Sequence, residues 1–443
     1  MEPNVREDLA RRTLARSNAG RTEVLISYEN AALTRFAHEN VHQNVASEDA
    51  VISVRAILGG RTGVAQTNRT DDASIRDVVE RATAMAKLAP SDPAQPDLPS
   101  GGPTHAPPGA FVEATAHASA ETRAKICGEF FRVAERDDLW SAGYASTASH
   151  GYTVANDNGV MASFDGTAAG VNVKMSDADS TGFAEYSTSD VEKIDATAVA
   201  ETSARKARET RAPKSIEPGP WTVILEPPAF AELLTYLSAH FSAQAYDEGS
   251  SFCSGGLGTT MLGENVTIRD DYAHPLALDA PFDFEGAPTK RLALVEDGVV
   301  RSVVTDSYWA HKLDMDNTGH ALPAPNAYGP QPRNLVVMPG TKTTEELIAS
   351  TKRGILVSRL WYVRTVDQRQ AIVTGMTRDG TYMIEDGKLG GGVRNLRFNQ
   401  SIVEALKHCE LGLDLHRSSA HGYAVVVPSI KIENFAFSST TEF

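Results

Sequence analysis

His38-Glu39-Asn40-Val41-His42 spells H-E-x-x-H, the spacing with which a helix turns two imidazoles toward one zinc ion and sets a carboxylate beside it. The spacing works only on a helix. No helical apolar period surrounds it here, and the stretch reads as strand-turn-strand. On an extended strand the two histidines would share a face about 13 Å apart, at ~3.3 Å per residue, too far for one ion. A surface hairpin is expected instead. A second candidate is Leu233-Leu234-Thr235-Tyr236-Leu237-Ser238-Ala239-His240. His240 falls with Leu233 and Leu237 at i, i+4 and i+7, on or near the buried face of a helix. A hydrogen-bonded core histidine is the expectation; the alternative is a histidine lining a cavity. Thr235 and Tyr236 offer hydroxyls to such a cavity, but neither is a usual zinc ligand.

Other chemistry is sparse. Gly255-Gly256-Leu257-Gly258 lacks the Gly-Lys-Ser/Thr of a phosphate loop, and Gly390-Gly391-Gly392 lacks a G-x-G-x-x-G frame; both read as turn glycines. No G-x-S-x-G elbow occurs, and Asp306-Ser307 has no recognisable histidine partner motif. Cys127, Cys253 and Cys409 are three in number with no CxxC, which suggests reduced thiols in a cytoplasmic protein, with Cys409 a buried small hydrophobe.

The elements that must position these residues divide the chain in two. Residues 4–18 read as an amphipathic helix. Thr22–Glu29, Leu33–Asn44, Ala50–Leu58 and Thr62–Asn68 read as strands. Asp71–Lys87 is a helix capped by Asp71 or Asp72, with Ile75, Val78, Val79, Ala82 and Met85 at helical spacing. Pro90–Ala110 holds seven prolines and three glycines and predicts an exposed loop of polyproline character, dispensable for folding. A helix at Ser119–Arg136, strands from Trp140 to Thr188 with a type I′ turn at Asn158-Gly159, and a helix at Asp195–Thr210 follow. Arg211–Pro220 reads as a linker. Beyond it come a strand at Trp221–Leu225, a helix opened by Pro227-Pro228 with Phe230, Leu233, Leu234, Leu237 and Phe241 as its buried stripe, and then mostly short strands. Turns are expected at Glu296-Asp297-Gly298, Arg378-Asp379-Gly380 and Glu385-Asp386-Gly387, and short helices at Thr344–Ser350 and Ser401–Lys407. Segregated helices and strands argue for an α+β fold. The predicted domains are residues 1–215 and 216–443.

The 443 residues suffice for two or three domains. A net charge of −15 argues against a nucleic-acid surface, which needs clustered Lys and Arg. The charged N-terminus shows no signal-peptide h-region, and no apolar run approaches the ~18 residues of a membrane span.

Several segments in order resemble the TldD/PmbA family of peptidases. They include Leu33-Thr34-Arg35-Phe36-Ala37 with Val41-His42-Gln43-Asn44, the run Phe282-Asp283-Phe284-Glu285-Gly286-Ala287-Pro288-Thr289, and Thr318-Gly319-His320-Ala321. The resemblance covers about residues 22 to 435. It implies an α+β N-terminal domain and a largely antiparallel, barrel-like C-terminal domain. The family's metal-binding branch carries His-Glu-x-x-x-His after a Leu-Leu pair. Here Thr235 stands for the first His and Tyr236 for the Glu, and only His240 remains. The family's third ligand is a Cys near the C-terminus; the stretch Leu415–Tyr423 has none, leaving His416 and His421 as substitutes to consider. The resemblance therefore implies a TldE/PmbA-type subunit with no catalytic, cofactor or metal residues of its own. Zinc would be expected in a TldD-type paralogue, its partner in a heterodimer or higher heteromer acting on unfolded or small peptides. A stand-alone scaffold of the same fold, or an independent amide hydrolase with an atypical site, are the alternatives.

Overall fold

The structure is a computed structural model and describes residues 1–102, 104–418 and 424–441. Helix α1 (Pro3–Leu14) leads into a meander of long strands, β1 (Arg21–Ala37), β2 (Asn40–Leu58) and β3 (Arg61–Thr67). Then come α2 (Asp72–Leu88), α3 (Glu113–Ala116), α4 (Ala120–Arg136), β4 (Trp140–Asn156), β5 (Met161–Ser176), β6 (Thr181–Thr188) and α5 (Ala196–Glu209). Side chains of Asp71, Ser119 and Asp195 cap α2, α4 and α5 by accepting a backbone N–H, each as its residue type favours. The six strands form one antiparallel sheet in the order β3-β2-β1-β4-β5-β6. Alternation along the strands gives the sheet two buried faces. Val24, Ile26 and Ala155 pack under α1 and α2. Leu25, Val154 and Phe164 point the other way and meet Ala280 and Phe282 of the second half.

The second half comprises β7 (Gly219–Leu225), α6 (Pro227–Ser238), α7 (Ala243–Asp247), β8 (Ile268–Asp270), β9 (Leu292–Glu296), β10 (Val299–Val300), α8 (Ser307–Leu313), β11 (Asn334–Val337) and α9 (Thr344–Ala349). It continues with β12 (Arg353–Asp367), β13 (Ile372–Glu385), β14 (Lys388–Gly392), β15 (Leu396–Ser401), α10 (Ile402–Lys407), β16 (Cys409–Leu411), β17 (His416–Ser418), β18 (Ala424–Val427) and β19 (Ile430–Thr440). Strand pairing runs β12-β7-β19-β15-β13 and returns to β12, so these five strands form a closed circuit; only β12–β7 is parallel. A second sheet has the order β10-β9-β8-β11-β18-β17. Helix α6 lies between the two. Phe230, Leu233, Leu234 and Leu237 share one core with Val223 and Val357 of the circuit and with Leu335 and Val425 of the second sheet. The fold is α+β, as the segregation of elements predicts.

Several local expectations are corrected. The first four predicted strands are three: β1 and β2 run unbroken through residues 30–32 and 45–49, and the turn sits at His38-Glu39. Met85 is exposed and Ala86 takes its place in the core of α2. The β4–β5 connection is not a type I′ turn, because Gly159 has positive φ and Asn158 does not. Asp379-Gly380 forms a bulge within β13, where the ladder with β12 slips, rather than a turn. Gly390–Gly392 belong to β14, and Phe282–Thr289 is a turn held by an isolated bridge. The Pro90–Ala110 loop is no free excursion. Leu98 and Ala110 are buried, and the carbonyls of Pro99 and Leu98 accept from the side chains of Asn156 and Asn158.

Candidate functional site

The H-E-x-x-H stretch forms a hairpin tip. His38 and Glu39 both have positive φ (51° and 53°), as a two-residue turn between antiparallel strands requires. Glu39 accepts from the Ser141 N–H at 2.5 Å, and the His38 ring meets Trp140 edge-on. His42 is exposed on β2. With the first histidine in a turn and the second on a strand, the helical i, i+4 geometry of the motif is absent, and no group of three His, Cys, Asp or Glu side chains that could hold a metal is found among the described residues.

Helix α6 separates the other candidates. Its sandwiched position leaves Pro227 and Pro228 at its start, and beyond them Glu232, Thr235, Tyr236 and Ser238, partly accessible. The Thr235 hydroxyl donates to the Ala231 carbonyl at 2.9 Å. The Tyr236 hydroxyl donates to the Val363 carbonyl of β12. His240 lies beyond the helix end, in a 3-10 turn, 1% exposed. Its Nδ1 accepts from the Phe252 N–H at 3.3 Å, and its ring packs at a tilt of 46° against that of Phe252. Burial pushes its imidazole down to about 4. His240 is thus a neutral core histidine, and the three positions do not converge. His416 on β17 is partly buried against Tyr186, and its Nε2 has no hydrogen-bond partner among the described residues. His421 lies outside the described residues. The three thiols are free, and Cys409 is half-buried rather than fully buried, its sulfur donating to the Leu406 carbonyl.

Tyr236 does face a cleft, of about 590 Å³, between the N-terminal sheet and the closed circuit. Tyr144, Glu185 and Tyr186 form one wall; Glu232, Tyr236, Arg359 and Trp361 form the other. Arg359 is held rigidly. Its guanidinium lies 4.2 Å from the Phe183 ring centre and 4.6 Å from that of Trp361, and it donates to Asp379 at 3.1 Å. Across the cleft the Ser418 hydroxyl donates to Glu185 at 2.8 Å. β6 is the edge strand of its sheet and borders this space. On the facing strand β12, Tyr362 has φ 55° and the ladder slips between Trp361 and Arg364. A cleft with aromatic walls, a strand edge and both signs of charge can hold an extended chain segment. The Arg359-Leu360-Trp361-Tyr362-Val363-Arg364 run carries this wall. Its mixture of aromatics and arginines was the available signal, and element assignment alone passes over it.

A model of the PmbA/TldA metallopeptidase C-terminal domain matches residues 218–439, and one of domain 1 of the same metallopeptidases matches residues 22–86. The chain belongs to the PmbA/TldD family. A metalloprotease PmbA homologue of Haemophilus influenzae is 24% identical over 410 residues, covering 87% of this chain and 86% of that protein. A metalloprotease of Methanothermobacter thermautotrophicus is 28% identical over 172 residues, and a protein of Methanocaldococcus jannaschii 31% over 135. Those two matches cover 37% and 30% of this chain, and span only 36% and 30% of the relatives' own lengths. Among solved structures, TldE of Thermococcus kodakarensis superposes with a TM-score of 0.88 at 21% identity, covering 98% of this chain and 99% of that one. A protein described as a modulator of DNA gyrase from Thermotoga maritima gives 0.87 at 19%, covering 98% and 100%. These likenesses show the fold.

The metallopeptidase family implies a metal ion; zinc, the ion expected from the sequence, takes imidazole, thiolate or carboxylate ligands. The residues at the corresponding positions do not fit it. Thr235 and Tyr236 spend their hydroxyl protons on backbone carbonyls, and the His240 ring is committed to Phe252. Among the described residues no three His, Cys, Asp or Glu side chains converge to hold a metal.

Proposed function

We propose that this chain is the zinc-free, TldE/PmbA-like subunit of a heteromeric peptidase whose TldD-type paralogue supplies the metal, in the cytoplasm, with domains divided at residues 215/216. The observation that carries the reading is the occupation of the ligand positions by groups already used in folding: Thr235 on Ala231, Tyr236 on Val363, His240 on Phe252. The cleft survives although the ligands do not. Its strand edge at β6 and its aromatic wall at Trp361 suit an unfolded or short peptide lying extended, a form of strand addition. An obligate interface with the paralogue would bury on the order of 2,000 Å² or more.

Co-expression with an HExxxH-bearing paralogue tests this. The expected outcome is a stable complex that cleaves unfolded peptides, loses activity to a chelator, and carries its zinc in the paralogue. The chain alone should hold no stoichiometric zinc and cleave nothing. Chelator-resistant cleavage by the chain alone would establish the independent hydrolase instead. Failure to bind any such paralogue would leave the scaffold.

A further inference from the structure

A second cavity, of about 620 Å³, shares no lining residue with the cleft. It lies between β2, β3 and the end of α2 on one side, and the start of α8 with the segment 321–329 on the other. Its walls are largely apolar, with Met85, Trp309 and Leu322 among them, and three Arg, Asp or Glu side chains line it, Arg55, Glu285 and Asp306, beside the Tyr308 phenol. The volume is in the range of small-molecule sites.

The charges there do not balance. Arg55 spends its fork on two carboxylates, Nη1 on Glu285 at 2.9 Å and Nη2 on Glu23 at 2.6 Å. The second Glu285 oxygen accepts from the Ser307 N–H. Asp306 is 8% exposed. One of its oxygens accepts from the Trp309 N–H at 2.8 Å; the other has no hydrogen-bond partner among the described residues. Lys312, over the Trp309 ring, is paired with Asp247. Three carboxyl groups thus share one guanidinium; enclosed Glu23 answers by holding a proton up to about 7, and Asp306 is left with an oxygen to spare. Burial, and then Glu285, push Asp306 up to about 6, although the Trp309 N–H and Arg55 pull the other way. The second Asp306 oxygen is not among the enclosed atoms without a partner and so opens on the cavity that Asp306 lines; a carboxylate oxygen free to accept inside a largely apolar cavity points to a ligand.

We propose that this cavity is a binding site for an organic ammonium compound, its cationic nitrogen on the Asp306 carboxylate and its apolar body against Trp309, Leu322 and Met85. A single open carboxylate is too few oxygens for calcium or magnesium, which want about six. An anion would meet Glu285 and Asp306, with Arg55 already taken. The proposal is independent of the peptidase reading.

Calorimetric titration with tyramine, and with 4-ethylphenol, which lacks only the ammonium group, tests it. Tyramine should saturate one site per chain, and 4-ethylphenol should bind at least about tenfold more weakly. Asp306→Asn keeps an oxygen to cap α8 and removes the charge; it should weaken tyramine at least about tenfold. Leu322→Trp fills the cavity from its apolar wall with the charges intact and should abolish binding, a check that stands if the Asn variant fails to fold. No saturation by tyramine up to about 10 mM, equal binding of 4-ethylphenol, or undiminished binding by either folded variant would overturn the proposal.

Discussion

A histidine at helical spacing with two leucines is ambiguous in sequence, and the fate of His240 shows what resolves it. The Leu233/Leu237 period places it toward the core, correctly. Only the fold reveals that the ring turns to the Phe252 N–H, twelve residues on, away from the cleft that Tyr236 reaches. Charged partners were less legible still. Glu23 and Arg55 sit beside apolar residues on their strands, and nothing in either strand tells that Glu23 is buried and that the two are paired. The pH behaviour of His240 is a direct test of its placement. An unfolded chain binds a proton there near 6.5, the folded protein only near 4. Between those values the unfolded state holds the extra proton, so this contribution to stability is lost as pH falls from about 6.5 to about 4. His240→Asn keeps an acceptor for Phe252 but does not titrate. Urea unfolding at pH 7 and 4.5 should show the wild type losing about 2–3 kcal/mol more than the variant over that range. Equal losses would mean that the ring is protonated in the fold.

Elements announced by local chemistry were legible in proportion to how local that chemistry is. Asp71, Ser119 and Asp195 cap their helices as their types predict. Breaks within β1 and β2 were expected at polar runs and are absent, because a ladder with neighbours overrides a few polar residues: β1 pairs along its length with β2 on one side and β4 on the other. Asp379-Gly380 misled for a related reason, since a bulge and a turn ask for the same positive φ. The proline-rich loop misled by composition. Proline density rules out a helix or strand but says nothing of whether an irregular segment packs. Here Leu98 is 4% exposed, Ala110 joins the Phe164–Phe282 core, and two side-chain amides hold its carbonyls. Replacing residues 90–110 by a short Gly/Ser linker should therefore cost roughly 3–4 kcal/mol, about 2 from Leu98 and about 1 for each hydrogen bond. An unchanged urea midpoint would restore the view of a dispensable loop.

For the whole molecule, the family's sequence runs acquire a physical role as the join between its two halves. Asp283 accepts from the N–H groups of Glu285, Ala287 and Ala321, which draws Phe282–Thr289 and Thr318–Ala321 together. That places Glu285 against Arg55 of β2, and Arg55 against Glu23 of β1. The runs were recognisable in sequence as markers of family; their service as a latch depends on a partner 230 residues away. Glu23 and Glu285 are buried, and Arg55 is only slightly exposed. Burial pushes Glu23 up to about 7 despite Arg55. For Glu285 burial opposes ionisation too, but Arg55 and the Ser307 N–H hold it below the usual range. Arg55→Met keeps much of the side chain's bulk and removes the shared cation. It should cost about 3–5 kcal/mol, the penalty of stranding buried carboxylates. The pH dependence separates that cause from lost packing. Without Arg55 the Glu23 carboxyl rises further above its unfolded value and Glu285 loses the cation that holds it down and rises as well, so the native state keeps protons that the unfolded chain releases, and the variant loses stability relative to wild type as pH rises. The gap to wild type in urea unfolding should accordingly widen from pH 5 to pH 8. A gap that is constant with pH would assign the loss to packing, and the latch would then be steric rather than electrostatic.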